Sequence, residues 1–281
     1  MQGIWGLAQN GHLAGFLTGT IYAGPLKQFC VPGMNCYACP GALFACPIGA
    51  MQASFSARRP KFAFYVLGFL TTVGVLVGRM ICGWLCLFGL IQELLYRIPV
   101  PKLSIPKKAD RILRYLKYVV LVLFVVLFPI ILRDEYGVSF PYFCKWLCPV
   151  GALEGGIPLV LLDETLRQAA HWLYAWKMLL LALCIAASMV IYRPFCKYIC
   201  PLGAFYALFQ RFSFLQLKVN QARCTHCGSC ARACQMQVNP AEHPCSGECI
   251  RCGACVRACP HQALCFGMAS QAKEARMKEA T

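Results

Sequence analysis

The chain has 281 residues, of which 59% are hydrophobic and only 14% are charged, whereas a typical soluble domain has about 25% charged residues. The missing charges leave a few long apolar runs, which excludes a wholly water-exposed fold and makes membrane lipid an expected partner. The net charge of +16 comes without a basic patch interleaved with aromatic residues, so nucleic acid is excluded as a partner.

The amino-terminal part of the chain is predicted to be an all-α membrane bundle of about four transmembrane helices, over residues 1–215. The first candidate span, Ile4 to Ala23, is uncharged but rich in glycine, and a signal peptide is its alternative. Three stronger candidates follow, which each need a few flanking residues to reach the roughly 20 residues of a span. They are Phe62 to Gly78, Tyr118 to Leu132, and Met178 to Tyr192.

The loops between these spans differ in charge and predict an orientation. Between Arg97 and Lys117 the chain has seven basic residues and one acidic residue, Asp110. The loop from Arg133 to His171 has three basic and five acidic residues. The positive-inside rule places the first loop in the cytoplasm. The sequence therefore predicts a multi-pass protein of the cell membrane with both termini, and the carboxy-terminal domain, on the cytoplasmic side.

The 21 cysteines fall mostly into short-spaced groups. Such a count is typical either of small disulfide-rich secreted domains or of metal and cluster sites. This chain is large and apolar, which favours the metal or cluster interpretation.

Two cysteine runs near the carboxy terminus repeat one spacing. They are Cys224-x2-Cys227-x2-Cys230-x3-Cys234 and Cys249-x2-Cys252-x2-Cys255-x3-Cys259 followed by Pro260. This spacing is typical of bacterial ferredoxins with two [4Fe-4S] clusters, in which the fourth cysteine of each run binds the other cluster. Zinc bound by four thiolates is the alternative.

The crossed pattern divides these eight cysteines into two sets. The first ferredoxin set is Cys224, Cys227, Cys230 and Cys259. The second ferredoxin set is Cys249, Cys252, Cys255 and Cys234. We therefore expect residues 216–268 to form an α+β bacterial-type 2[4Fe-4S] ferredoxin domain, followed by a flexible tail over residues 269–281.

Related cysteine motifs recur in the membrane part, and an internal duplication is the simplest explanation. Three Cys-x3-Cys motifs start at Cys82, Cys144 and Cys196, and Cys-Pro-x-Gly-Ala occurs at Cys46, Cys148 and Cys200. We expect a short interfacial helix after each Cys-Pro-x-Gly-Ala. One or two further [4Fe-4S] clusters are expected in this domain.

Each predicted cluster of the membrane part combines cysteines from both halves of the duplication. The inner site is predicted to use Cys82, Cys86, Cys196 and Cys200. The outer site is predicted to use Cys36, Cys39, Cys144 and Cys148, with Cys46 and Cys30 as alternative ligands. A Cys144–Cys148 disulfide or a redox-active thiol pair remains open for the outer motif.

Spans that end in Cys-x3-Cys-Pro, followed by a two-cluster ferredoxin tail, resemble the NapH/MauN/NosR-type membrane polyferredoxin family. The resemblance covers roughly residues 60 to 265, and Cys196 to Pro201 matches well. Leu87 replaces the proline after Cys86, and the motifs at Cys36 to Pro47 and Cys144 to Pro149 are additional, so the chain looks like a variant with extra cysteine motifs.

The resemblance implies a membrane-bound electron carrier rather than a stand-alone enzyme, and no catalytic residue is assigned. Electrons would pass between cytosolic donors or the quinone pool and an extracytoplasmic acceptor, through redox partner proteins on one or both faces. A quinol-oxidising subunit of a respiratory reductase is one alternative. A thiol-relay or assembly protein is the other.

Overall fold

The computed structural model describes residues 1–56, 64–103, 105–136 and 138–268. They are mostly helical and divide into two compact units. The first unit comprises Met1–Phe69 and Leu85–Ala204, and the second comprises Leu70–Trp84 and Phe205–Thr281. The predicted flexible tail, residues 269–281, lies outside the described residues.

Fifteen α-helical segments occur in the described part of the chain. In chain order they are α1 (Gln2–Gln9), α2 (Ala14–Thr18), α3 (Pro47–Ser56), α4 (Phe64–Val77), α5 (Met80–Trp84), α6 (Leu87–Tyr96), α7 (Lys107–Val120), α8 (Phe128–Ile131), α9 (Ile157–Leu162), α10 (Glu164–Gln168), α11 (Trp172–Val190), α12 (Pro194–Tyr198), α13 (Pro201–Phe209), α14 (Ser229–Arg232) and α15 (Ala254–Arg257). Wide π-type turns over Leu121–Leu127 join α7 to α8, and others cover Phe143–Leu147 and Gly151–Gly156.

Two helices among the described residues are long and apolar enough to cross a membrane, Lys108–Ile131 and Trp172–Val190. They contain most of the predicted spans from Tyr118 and from Met178. The predicted span from Phe62 begins outside the described residues, and its described part, Phe64–Val77, is a 14-residue apolar helix. The four-span bundle therefore stays a prediction.

The predicted span over Ile4 to Ala23 is wrong, because this segment is not one continuous helix. The structure forms α1 and α2, which have eight and five residues, with a turn between them. The Asn10 side chain donates to the carbonyl of Gly6, and the backbone N–H of His12 donates to the carbonyl of Gly41. Polar groups in the middle of the segment thus bond to Gly6 nearby and to the distant Gly41, and the first helix ends at Gln9.

A short helix follows each cysteine motif, as expected. Helix α3 begins at Pro47 and α13 at Pro201, directly after Cys46 and Cys200. Proline is favoured at the first position of a helix because its missing N–H would have no helical partner there. Residues 151–162 are helical after Cys148. That these helices lie at the membrane interface remains a prediction.

The second unit contains an α+β arrangement with an internal repeat. Strand β1 (Leu215–Val219) pairs antiparallel with β2 (Leu264–Met268), with Leu217 opposite Phe266. Helices α14 and α15 follow Gly228 and Gly253, which both have the positive φ that glycine adopts most easily. Positive φ also recurs at the pairs His226 and Arg251, and Gln237 and Gln262. The two cysteine runs therefore share one backbone path.

The compact units differ from the predicted domain boundary at residue 215. Residues 70–84 belong with the carboxy-terminal residues, because buried arginines tie them together. The Arg251 guanidinium donates to the carbonyl of Val77 and to the Ser213 hydroxyl, at 2.9 and 2.6 Å. The Arg79 guanidinium forms an ion pair with Glu248 at 3.0 Å.

Replacing Arg79 with alanine should destabilise the second unit. Arg79 is fully buried, so Arg79→Ala leaves the Glu248 carboxylate without its cation in a site shielded from water. We expect the free energy of unfolding to fall by about 3 kcal/mol, measured by denaturant titration in detergent with circular dichroism. Arg211→Ala, at an exposed position, is the control, and equal effects of the two substitutions would show that the buried pair contributes nothing.

Candidate metal centres

The first ferredoxin set surrounds a single cavity in the second unit. Cys224, Cys227, Cys230 and Cys259 all line it, and its volume is about 140 Å³. Three of the thiols come from the first cysteine run and the fourth from the end of the second run. The structure thus brings together the four residues that the crossed pattern assigned to one cluster; their role as ligands stays a prediction.

The second ferredoxin set is also brought together, as the mutual influence of its thiols shows. Burial, together with the neighbouring Cys249, Cys252 and Cys234 thiolates, raises the pKa of Cys255 to about 12. Such close thiols cannot all ionise unless a cation neutralises them. The set is therefore suited to bind a group that contains iron, with thiolates as its ligands.

The predicted inner site is divided between the two units. Cys86, Cys196 and Cys200 are buried in the first unit, whereas Cys82 is buried in the second. In the first unit, Gln92 donates to the Cys196 sulfur at 3.1 Å, and its oxygen accepts from the Phe195 backbone N–H at 3.2 Å. One amide therefore holds Cys196 in place from helix α6.

Buried charges surround these three cysteines. The Arg193 guanidinium interacts electrostatically with Cys196 and Cys86 and pairs with Glu93 at 3.0 Å. On helix α7, Asp110 accepts from Lys197 and Tyr198, both at 2.6 Å. Asp110 thus fixes the segment between Cys196 and Cys200. Sequence reasoning did not identify Asp110 or Gln92, although a lone acid in a basic loop and a glutamine six residues after a cysteine were both visible.

The predicted outer cysteines lie in the first unit, and four of them line a second cavity of about 210 Å³. These four are Cys36, Cys46, Cys144 and Cys148. Cys39 and Cys30 do not line this cavity. The Lys27 ammonium interacts electrostatically with both Cys36 and Cys39, and Cys30 forms a short backbone bridge to Ala45.

The four cavity thiols interact with one another. Burial raises the pKa of Cys148 well above its ordinary value, and the neighbouring Cys144, Cys36 and Cys46 thiolates add to this effect. None of the four forms a disulfide. Across the described residues, no group of three or more His, Cys, Asp or Glu side chains has the spacing of a single-ion site.

Two family models match the chain, and both are described as a 4Fe-4S binding domain. One matches residues 61–106, 118–157 and 172–220, and the other matches residues 217–238 and 246–265. The second model covers both cysteine runs of the ferredoxin sets. The residues at the cavities and the matched models define the chain as an iron–sulfur protein that binds several [4Fe-4S] clusters.

The curated relatives agree with this class. The uncharacterized protein MJ0750 of Methanocaldococcus jannaschii is 33% identical over 175 residues, which are 60% of this chain and 63% of that protein. The regulatory protein NosR of Stutzerimonas stutzeri is 28% identical over 75% of this chain and 28% of its own length. The methylamine utilization ferredoxin-type protein MauN of Methylobacillus flagellatus is 29% identical over 67% of this chain and 60% of its own length.

The matched models and the named relatives support a membrane polyferredoxin family with [4Fe-4S] binding domains, and this chain is similar to its members. It spans less than two thirds of the length of MJ0750. No solved structure matches the chain.

Crossed ligation in the ferredoxin sets can be tested with alanine variants. Cys259→Ala should remove the cluster of the first set, about four iron atoms per chain, although Cys259 lies in the second run. Adding Cys224→Ala should cause no further loss, because both residues serve one cluster, whereas adding Cys249→Ala should remove a second cluster. Iron analysis and electron paramagnetic resonance of the reduced protein measure this. Cys265→Ala, at an exposed thiol, is the control.

Additive iron loss in the Cys224→Ala/Cys259→Ala pair would show that each run binds its own cluster and would overturn the crossed assignment.

Proposed function

We propose that this chain passes single electrons between its ferredoxin module and clusters in its membrane domain, and so links cytosolic donors or the quinone pool to an acceptor on the far side of the membrane. A [4Fe-4S] cluster supplies reversible one-electron chemistry at potentials that its protein environment sets. The ferredoxin-type name of MauN and the matched 4Fe-4S models support the general role, and the direction and partners are part of the proposal.

The main observation that supports this proposal is the close packing of Gly83 against the second ferredoxin set. A Cβ atom at Gly83 would lie 2.5 Å from the carbonyl oxygen of Ile250 and 3.7 Å from the Cα of Cys252. The Trp84 indole N–H donates to the carbonyl of Arg251 at 3.0 Å. Helix α5, which contains Cys82, therefore packs directly on the loop that contains two predicted ligands of the second set.

This packing makes a short route between two predicted cluster ligands. Cys82 is the residue next to Gly83, so its Cα and that of Cys252 lie within roughly 9 Å of each other. Electron tunnelling falls steeply with distance, and a bilayer core of about 30 Å needs intermediate carriers. An inner site with Cys82, Cys86, Cys196 and Cys200 as ligands would be the first such carrier beyond the ferredoxin module.

Buried cations and polar groups would stabilise reduced clusters in this region. Arg251 is almost fully buried and interacts with Cys249, and Gln210 donates to the carbonyl of Cys249 at 2.9 Å. Positive charge and hydrogen-bond donors near the sulfur atoms favour the reduced, more negative state of a cluster. Arg251 and Gln210 would therefore favour the transfer of an electron to a cluster bound by the second ferredoxin set.

Removing an inner ligand should block transfer across the membrane. In proteoliposomes with an impermeant reductant outside and ferricyanide inside, Cys196→Ala should reduce the rate of ferricyanide reduction at least tenfold, because one carrier is lost. The ferredoxin-module signals in electron paramagnetic resonance should persist. Cys184→Ala, in the middle of helix α11, serves as the control. An unchanged rate and unchanged iron in Cys196→Ala would eliminate the inner site from the route.

The packing at Gly83 can be tested without removing a ligand. Gly83→Leu forces the Ile250 loop away from helix α5, so we expect electron transfer to slow about tenfold while iron per chain stays constant. Gly68→Leu is the matched control, because a Cβ at Gly68 has no atom within 4 Å. Equal rates for both variants would indicate that electrons do not cross at this contact.

The purified protein can also be used to test the two alternative functions, a quinol-oxidising subunit and a thiol relay. Cluster reduction by added quinol in nanodiscs would identify a quinol-oxidising subunit. A membrane domain whose thiols all react with alkylating reagents and that contains no iron would instead indicate a thiol relay.

A further inference from the structure

The cavity in the first unit has the lining of a cluster site. Four cysteines converge on it from two distant parts of the sequence: Cys36 and Cys46 precede helix α3, whereas Cys144 lies within the π-type turn Phe143–Leu147 and Cys148 follows it. Its volume of about 210 Å³ corresponds to several water molecules, which is more space than one metal ion requires. The Lys177 side chain also lines the cavity and provides a positive charge.

Two glycines make room for the sulfur atoms. A Cβ at Gly155 would lie 3.2 Å from the Cys36 sulfur, and one at Gly151 would lie 3.8 and 3.9 Å from the sulfurs of Cys36 and Cys148. The Gly151 backbone N–H donates to the Cys148 sulfur at 3.4 Å. Larger residues at either position would occupy space that the thiols now share.

Gln52 holds Cys144 as Gln92 holds Cys196. The Gln52 amide donates to the Cys144 sulfur at 3.3 Å and to the carbonyl of Ile48, and its oxygen accepts from the Phe143 N–H at 2.9 Å. Gln92 makes the corresponding three hydrogen bonds with Cys196, Phe88 and Phe195. Both glutamines are buried.

This repeat identifies counterparts for three of the four inner cysteines. Gln52 lies six residues after Cys46, as Gln92 lies six residues after Cys86. Cys144 and Cys148 match Cys196 and Cys200, and the Gly203 N–H donates to the Cys200 sulfur at 3.4 Å just as Gly151 does to Cys148. Cys46 therefore occupies the position of Cys86, whereas Cys39 has no counterpart in the repeat.

Cys36 is the fourth cysteine at the cavity, and a buried carboxylate fixes its backbone. The Cys36 N–H donates to Glu154 at 2.8 Å, and Glu154 lies six residues after Cys148. Each of these two polar side chains, Gln52 and Glu154, follows a cavity cysteine by six residues and bonds to the partner segment. The two segments that line the cavity are thus connected in both directions by the same kind of hydrogen bond.

We propose that Cys36, Cys46, Cys144 and Cys148 bind a [4Fe-4S] cluster, and that Gln52 is a positioning residue whose hydrogen bond raises the reduction potential of that cluster. The thiols would bind as thiolates and release their protons to solvent. The binding of iron here is independent of the proposed function, and only the use of the site as a further carrier rests on it.

The test compares two neighbouring cysteines in the full chain, purified without oxygen. Cys46→Ala should lower iron and acid-labile sulfide by about four atoms each per chain and remove one signal in electron paramagnetic resonance, with the ferredoxin-module signals intact. Cys39→Ala should leave both unchanged. Iron loss in Cys39→Ala but not in Cys46→Ala would overturn the ligand set, and one zinc atom in place of iron would overturn the cluster.

A second variant keeps the proposal testable if Cys46→Ala fails to fold. Gln52→Leu should retain all iron and lower the midpoint potential of one cluster, because a sulfur loses its hydrogen bond. Ser54→Ala, on the same helix, should change neither. An unaltered set of potentials in Gln52→Leu would refute the role of Gln52.

If iron and sulfide depend on Cys46, the cluster site is established whatever the liposome assay shows. Absence of electron transfer across the membrane in that assay would refute only the proposed function.

Discussion

The membrane-domain sites depend on one repeated interaction, in which a buried side-chain amide connects two segments through a cysteine sulfur. Gln52 and Gln92 each satisfy the carbonyl of their own helix, a backbone N–H of the facing segment and a sulfur atom of that segment. A buried amide that lacks these partners would cost free energy, so the interaction specifies one arrangement of the two segments. The positions of the thiols follow from that arrangement.

Buried positive charge is the second requirement of such sites, because grouped thiolates repel one another. Arg79, Arg193 and Arg251 are almost completely removed from solvent, and two of them pair with glutamates. An unpaired buried arginine would be strongly destabilising. Accordingly, Arg79 and Arg193 pair with glutamates, and Arg251 donates to the carbonyls of Val77 and Gln210. The positive charge that offsets grouped thiolates also connects neighbouring segments, so a cluster bound by these cysteines would be physically linked to folding.

Sequence motifs are repeated in both parts of the chain, the ferredoxin module and the membrane domain. In the ferredoxin module, each cysteine run follows the same path, with positive φ at equivalent residues such as His226 and Arg251. In the membrane domain, the cysteine-to-helix motif recurs, and the residue six positions later reaches across to a partner segment. Similar local sequences therefore have similar local structures, and each predicted site combines two of them.

Local patterns in the sequence determined the cluster type, the eight cysteines of the ferredoxin module and the helices after Cys46, Cys148 and Cys200. These features depend on spacing along the chain, on proline at a helix start and on glycine at positive φ, all of which are visible in the residues themselves. The apolar runs from Tyr118 and Met178 were visible for the same reason, since length and hydropathy are local properties.

Only the tertiary structure decided which distant residues meet. It placed Cys46 rather than Cys39 at the cavity with Cys144 and Cys148, because the hydrogen bonds of Gln52 and Glu154 set the approach of segments that lie about a hundred residues apart. It also divided Ile4 to Ala23 into two short helices and joined residues 70–84 to the ferredoxin module through Arg79 and Arg251. Such contacts arise from packing and from the need to satisfy buried polar groups, which composition and spacing do not encode.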